Sequence, residues 1–475
     1  MTKVSAARLA AYTCVNRCRL EEGYAKDVMG PIAKDAKLSS QDRGLALRLS
    51  LGAMATSGYL LQVLGEVADK NTYITHDIQS CFMVSIYELL YMATPVEVAV
   101  SQGVELVGEV SSKAKPMANA ILRRVAKDML PGFKLSRERI ESGEASFKDY
   151  QKISGLPGWL LKKIKKSQPD TWKQIAEAQE SVAPIYVGYS SSHLSQNQVE
   201  DVMEKGGLAP KKTSLHGCYE IGHTQKLESC PILGTADIVV SDMAAQAICI
   251  LASMKHDGSL LEIGQGRASK TLLMGAYSAY RGAKVTTVAI DSIAYKVDVA
   301  KRRLSMQMPD KCNSLVFDAT RLADKNLPSA LAGRFDTVFC DMPCTGTGTL
   351  RRHPEICWSL SADALNKDDA TSLVNLQANI LSASAARVAD GGLLIYSTCS
   401  LLREENNLQI ESFLGSEAGR EFELVDIASL AQQEDIDGKS YEFICSHLTQ
   451  EGYFQTTPCQ GGCDGHFCAV MRKIK

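Results

Sequence analysis

The chain has no excess of charge of either sign: 52 Lys and Arg stand against 54 Asp and Glu, a net charge of −2 with histidine neutral. A basic field over the whole molecule is thereby excluded, and any nucleic-acid partner must be held by local patches. Long apolar runs are missing as well. The longest, around Ile238–Met254, is interrupted by Asp242, and nothing approaches the roughly 20 clean apolar residues of a membrane-spanning helix. The first residues, MTKVSAARLAAYTCVNRC, lack the compact apolar core and small-residue cleavage site of a secretory leader. Neither an internal repeat nor a low-complexity tract is present. At 45% hydrophobic and 22% charged residues, the composition excludes disordered and collagen-like chains. The 475 residues predict two to four domains at roughly 100–200 residues each.

Cysteine is what the chain has in quantity, 15 residues in all. The count is odd and the spacing irregular, so no disulfide framework is expected, and the absence of a leader points to a reducing compartment, the cytoplasm. Cys14, Cys81, Cys249, Cys312, Cys340 and Cys445 read as small buried hydrophobes. Individual cysteines in reactive settings are then the ones to look for.

Residues 1–130 read as an all-helical domain. Ser5–Cys18 and Ser40–Val63 place apolar residues at three- and four-residue spacing, Thr75–Thr94 continues the pattern, and Pro95 opens another helix. Lys115–Ala126 is a short amphipathic helix with Arg123 and Arg124 on one edge. Leu130–Ser154 mixes charge, Gly and Pro and reads as a linker, the start of a helical connection over 131–183. Within it, Pro157–Gln168 is a helix with Lys162, Lys163, Lys165 and Lys166 clustered, and Pro169–Gln179 a second one. The lysines make either a solvated face or an RNA contact. From Ile185 the grammar becomes β-rich, predicting a small α+β subdomain over 184–235. From 236 to 475 apolar strands alternate with helices, the pattern of an open, mostly parallel α/β sheet.

In this last domain Gly258–Thr271 reads as strand, glycine turn and helix start. The turn around Gly264 and Gly266 is either a tight structural turn or a place where backbone N–H groups meet a ligand. Three acids at strand ends favour the ligand: Asp291, Asp318 and Asp341 follow the second, third and fourth strands, where open α/β sheets bind theirs. Lys270-Thr271 lacks the glycine spacing of a phosphate-binding loop, so S-adenosylmethionine is preferred over ATP or NAD. The candidate cofactor residues are Glu262, Gly264, Gln265, Gly266, Arg267, Ala268, Ser269, Lys270, Asp291, Asp318 and Asp341. Two cysteines belong to the same sheet edge. Cys344 follows the fourth strand, and Cys399 ends a later one. A helix beginning after Ser400, with Glu404 and Glu405 in its first turns, is expected to bring N–H dipoles toward Cys399.

DMPCTGTGTLRRHPEICW (341–358) and GGLLIYSTCSLLREEN (391–406) resemble, in order and separation, the paired Pro-Cys and Thr-Cys signatures of RNA (cytosine-5) methyltransferases. DRGLALRLSLGAM (42–54), IYELLYM (86–92) and KPMANAILRRV (115–125) resemble a NusB-like RNA-binding domain. The combination is similar to the Sun/RsmB group of bacterial ribosomal RNA methyltransferases, and Gly461–Lys475 resembles the group's closing strand. The resemblance implies a NusB-like helical domain joined to a Rossmann-like methyltransferase. It implies a monomer that methylates C5 of a cytosine in small-subunit ribosomal RNA. Cys399 would be the nucleophile adding to C6, Cys344 the base or release group, and Asp341 the hydrogen-bond partner of the base. Arg351, Arg352 and His353 would hold phosphate or form a solvated loop, as would Arg123, Arg124, Lys162 and Lys163 elsewhere.

Two departures stand out. Where the group carries Pro-Gly-Gly this chain has Arg267-Ala268-Ser269, although Gly264 and Gly266 restore a general methyltransferase G-x-G. His466 stands where an aromatic residue is usual. Cys459, Cys463, Cys468 and His466 lack C-x-x-C spacing and lie on a segment read as a strand, so no metal is expected. Other readings keep the chemistry on transfer RNA or large-subunit RNA, or make the chain a non-catalytic assembly factor. DNA cytosine methyltransferases, which use the Pro-Cys pattern alone and lack this N-terminal region, fit less well.

Overall fold

The computed structural model describes residues 3–474 except Glu22, Tyr24, Lys70, Asn71 and Pro309. Lys475, the last residue of the expected closing strand, lies outside the described residues. The chain forms two units, Met1–Val182 with Thr349–Leu360, and Ala183–Gly348 with Ser361–Lys475.

The first unit is helical throughout. Its centre is His76–Tyr91, which buries Cys81, Phe82, Met83, Val84, Ile86 and Leu89 among others, and so reads as apolar on all sides. Its buried carboxylate, Glu88, is paired with Arg8 through two hydrogen bonds and accepts a third from Thr94 Oγ1 at 2.9 Å. The stretch expected as one helix over Ser40–Val63 is two, Ser40–Ala55 and Ser57–Val67. Thr56 breaks it: its hydroxyl bonds back to Gly52 O at 2.8 Å, and Gly155 presses so close that a Cβ there would stand 2.3 Å from Thr56 Cα. The segment read as a linker is itself helical, Leu130–Ser142 and Phe147–Ser154. Phe133 and Ile153 enter the helical core, which explains why charge and Gly/Pro content misread it. Gly143 and Gly155, both left-handed, terminate these helices.

The second unit opens with a four-stranded antiparallel sheet in the order β2-β3-β1-β4, where β1 is Tyr186–Tyr189, β2 Pro210–Lys212, β3 Cys218–Ile221 and β4 Ile238–Val240. The strand at Ile238, assigned from the sequence to the following domain, pairs with β1 instead. The main sheet follows: β5 Gly258–Ile263, β6 Val285–Asp291, β7 Cys312–Val316, β8 Phe335–Asp341, β9 Val388–Thr398, β10 Phe422–Leu424 and β12 Phe467–Lys473, with β11 Phe454–Gln455 hung on β12. Its order is β10-β12-β9-β8-β5-β6-β7, parallel from β9 to β7 and antiparallel at β12.

This is the open α/β sheet the alternation predicted, with helices covering both faces. Alternate residues feed two cores: Leu260, Phe339, Ile395 and Val470 on one side, Leu261, Val338, Leu394 and Ala469 on the other. Register aligns Ile263 with both Ile290 and Cys340, and Asp341 with Ser397. The ends of β5, β6, β8 and β9 therefore form one edge, with Gly264, Asp291, Asp341 and Cys399 at or just past the strand ends.

Candidate active site

At the end of β5 the chain turns on Gly264, whose φ is +81° and whose Cβ, were there one, would lie 2.3 Å from Asp341 O. Only glycine lets this turn press against the end of β8. The N–H groups of Gly264 and Gln265 both donate to Ile290 O at 3.0 Å. Gly266 N–H donates to Asp291 Oδ2 at 2.9 Å, and Ile293 N–H to Asp291 Oδ1 at 2.9 Å. Asp291 is thus tied to the glycine turn. Asp318 is more remote: it is exposed and accepts from Thr320 N and Oγ1, capping its own turn. Ile293, 47% exposed and two residues past Asp291, offers an apolar face beside a strand-end acid, a feature the sequence reading did not single out.

The helix Ser269–Tyr280 leaves the turn and carries two anchors. Lys270 reaches back to Asp341, Nζ to Oδ2 at 2.6 Å. Burial pulls the Lys270 ammonium down, but the adjacent Asp341 carboxylate outweighs it and holds the amine above its usual range. Thr271 Oγ1 donates to Glu262 Oε2 at 2.5 Å. Glu262 is completely buried, and burial pushes its carboxyl up to about 8 against the pull of the Thr271 hydroxyl. It is therefore neutral at physiological pH. Glu262 Oε1 and Gln265 Oε1 face no hydrogen-bond partner among the described residues. Two unpartnered polar atoms beneath a glycine turn, with carboxylates alongside, fit a polar ligand that carries an amino group and ribose hydroxyls.

Beyond β8 and β9 the two cysteines meet. Cys344 and Cys399 are 55 positions apart, yet their sulfurs lie 3.2 Å from one another, and both side chains are partly exposed. The Cys399 sulfur as a neighbour, together with burial, holds the Cys344 thiol well above the ordinary range. Either thiol can serve as hydrogen-bond donor to the other. The cysteines read as structural behave so at Cys14, Cys81, Cys249 and Cys340, which are buried, while Cys312 and Cys445 are partly exposed.

The loops carrying the thiols are joined by Glu405. The expected helix after Ser400 does not form there: the chain turns through Leu401–Asn406 and the helix begins at Asn407. Glu405 is instead buried beneath the loops. Its carboxylate accepts from Thr345 N at 2.8 Å, Gln377 Nε2 at 3.0 Å and the hydroxyls of Thr345 and Ser400. Asn406 adds bonds to Thr398 Oγ1 and Ser400 O. The residue after each cysteine is thereby held by one carboxylate, and Cys399 owes its position to this knot and to no helix dipole. Gly348 closes the loop, its N–H donating to Cys399 O at 2.9 Å. His466 lies buried with Nδ1 4.0 Å from Asp242, and burial lowers its pKa. No cluster of three or more potential metal ligands occurs among the described residues.

The proposed RNA residues all belong to the first unit. Arg123 is exposed and bonds Asn119, Arg124 pairs with Asp69 at 3.0 Å, and Lys162 is exposed on the helix Gly158–Ser167 with Lys163 half-buried. Arg351, Arg352 and His353 lie on the segment that joins the first unit, with Arg351 buried.

The sheet order, the glycine turn and the carboxylate-lined edge define an S-adenosylmethionine-dependent methyltransferase. Comparison with known proteins narrows the class. Residues 249–472 match the family described as 16S rRNA methyltransferase RsmB/F, and residues 5–127 match the NusB family. The Ribosomal RNA small subunit methyltransferase B of Escherichia coli O6:K15:H31 (strain 536) is 28% identical over 418 residues, covering 85% of this chain and 88% of its own. That of Shigella flexneri serotype 5b is 28% identical over 415 residues, with the same coverage. The crystal structure of PH0851 superimposes with a TM-score of 0.73 at 17% identity, over 99% of this chain and 100% of that one. A methyltransferase homolog from Pyrococcus horikoshii gives 0.52 at 18% identity, over 69% and 99%. The catalytic part of the chain is thus similar to the RsmB/F methyltransferases and the helical part to the NusB family.

Proposed function

We propose that this protein methylates C5 of a specific cytosine in 16S ribosomal RNA through a covalent intermediate on Cys399. The observation that carries the reading is the pair of sulfurs 3.2 Å apart on the sheet edge that holds the glycine turn. C5 of cytosine is a weak nucleophile. Addition of the Cys399 thiolate to C6 forms a C–S bond and moves the ring electrons to C5. When bound, S-adenosylmethionine would supply an electrophilic methyl group to C5, its S–CH3 bond breaking so that the sulfur leaves as a neutral thioether.

The remaining steps belong to the protein. Lys270 and Asp341, paired at 2.6 Å, offer a donor and an acceptor to the polar edge of the base and to the charge that addition places there. After transfer the proton on C5 must leave. Its electrons re-form the C5–C6 double bond and expel the Cys399 thiolate, with Cys344 as the base or release group. The target base must leave its stack to reach the thiols. Arg123, Arg124, Lys162, Lys163, Arg352 and His353 would hold phosphates, and Glu262, Gly264–Lys270, Asp291 and Asp318 the cofactor. The chain works as a monomer in the cytoplasm. No helix of the described residues is long and apolar enough to cross a membrane.

Bisulfite sequencing of ribosomal and transfer RNA with and without the gene tests the substrate. One cytosine of 16S RNA should lose its methyl mark, whereas loss confined to transfer RNA or 23S RNA would redirect the assignment. Cys399→Ala should abolish turnover, and Cys344→Ala should retain RNA as a covalent adduct on denaturing gels. Normal turnover by Cys344→Ala, without retained RNA, removes its release role.

A further inference from the structure

The turn after β5 places three residues in the left-handed region within five positions: Gly264 at +81°, Gly266 at +60° and Ala268 at +64°. Glycine adopts such angles freely and alanine does not. Ala268 is also fully buried, so the surrounding structure must impose its conformation. Upstream the turn is held by Asp291, which accepts the Gly266 N–H. Downstream it is held from another element. Arg303, on the helix Ala294–Gln307, donates from one guanidinium nitrogen to Arg267 O at 2.7 Å and to Ser269 Oγ at 3.1 Å. These are the two neighbours of Ala268. A planar guanidinium spanning them fixes the backbone on both sides of the strained residue.

We propose that Arg303 is a positioning residue for the cofactor: it locks Arg267–Ser269 in the left-handed turn that aims the start of the helix Ser269–Tyr280 at the ligand. Arg303 gives up water to do so, and burial, with the nearby Arg267 charge, lowers its pKa. The proposal rests on the reading of this turn as the S-adenosylmethionine site. It explains how a turn with alanine at its third left-handed position keeps one shape.

Calorimetric titration of the full chain with S-adenosylhomocysteine tests it. Arg303→Ala should weaken binding about tenfold, the loss of a charge-assisted hydrogen bond. Affinity for RNA and the melting temperature should stay close to those of the unaltered protein. Arg303→Lys, with a point charge in place of the fork, should recover part of the loss. Ala268→Gly placed in Arg303→Ala should recover most of it, because glycine adopts the left-handed angle without the strain that Arg303 offsets. Unchanged binding by Arg303→Ala overturns the proposal, and so does a loss that Ala268→Gly leaves uncorrected. No binding by the unaltered protein overturns the cofactor reading itself, and the proposal with it.

Discussion

Glu262 carries a proton at neutral pH because burial disfavours its charge more than the Thr271 hydroxyl favours it. A carboxyl whose folded-state pKa lies above its unfolded value stabilises the fold fully below the unfolded value, about 4.3. That contribution declines as pH rises and is gone once pH passes the folded value of about 8. Glu262→Gln keeps the acceptor for Thr271 but never ionises. The difference in melting temperature between the two proteins should therefore move in favour of Glu262→Gln from pH 5 to pH 8, and parallel curves would refute the protonated state. At this scale much was legible. Gly264 and Gly266 announce their backbone angles by being glycine, and each cysteine motif places its thiol at a strand end. The strain at Ala268 was not legible, because alanine carries no mark of a left-handed angle, and neither was Arg303, whose role depends on a neighbouring helix.

Among elements, the break at Thr56 and the knot at Glu405 are where sequence periodicity misled. A run of apolar residues at helical spacing continues through Thr56, and only the approach of Gly155, a hundred residues on, shows why the helix ends. Gly155→Ala would put a methyl group 2.3 Å from Thr56 Cα at a φ of +68°. A loss of about 2–4 kcal/mol is expected, read as a lower denaturation midpoint. Glu404-Glu405 looked like the acidic first turn of a helix, but the Glu405 carboxylate has four donors waiting beneath two loops. Glu405→Ala should lower kcat for methylation by at least tenfold, with little change in cofactor affinity, and destabilise the protein by about 2–3 kcal/mol. Unaltered kcat would show that the loops hold the thiols without it. The parallel sheet itself was legible from its alternating strands and helices, since strands buried on both faces must be apolar throughout.

The whole molecule was the least legible. Division into helical and α/β parts follows from periodicity, but Thr349–Leu360, five residues after Cys344, joins the helical unit. Nothing in its composition says so, because the partner surface is distant in sequence. Trp358 packs against that unit's core, and of the three tryptophans it alone lies after residue 182. A protein shortened to residues 183–475 should therefore show red-shifted tryptophan emission relative to full-length Trp159→Phe/Trp172→Phe, and it should associate on size-exclusion chromatography. Matching spectra would mean that the segment finds other cover.

Because of that segment, the backbone passes between the units three times, after Val182, after Gly348 and after Leu360. A genetic crossover at the first passage would pair the catalytic half with a foreign helical half while leaving a native strap to meet a surface it was never selected against. A helical half exchanged at that passage would have to keep the core surface that twelve residues encoded far downstream cover.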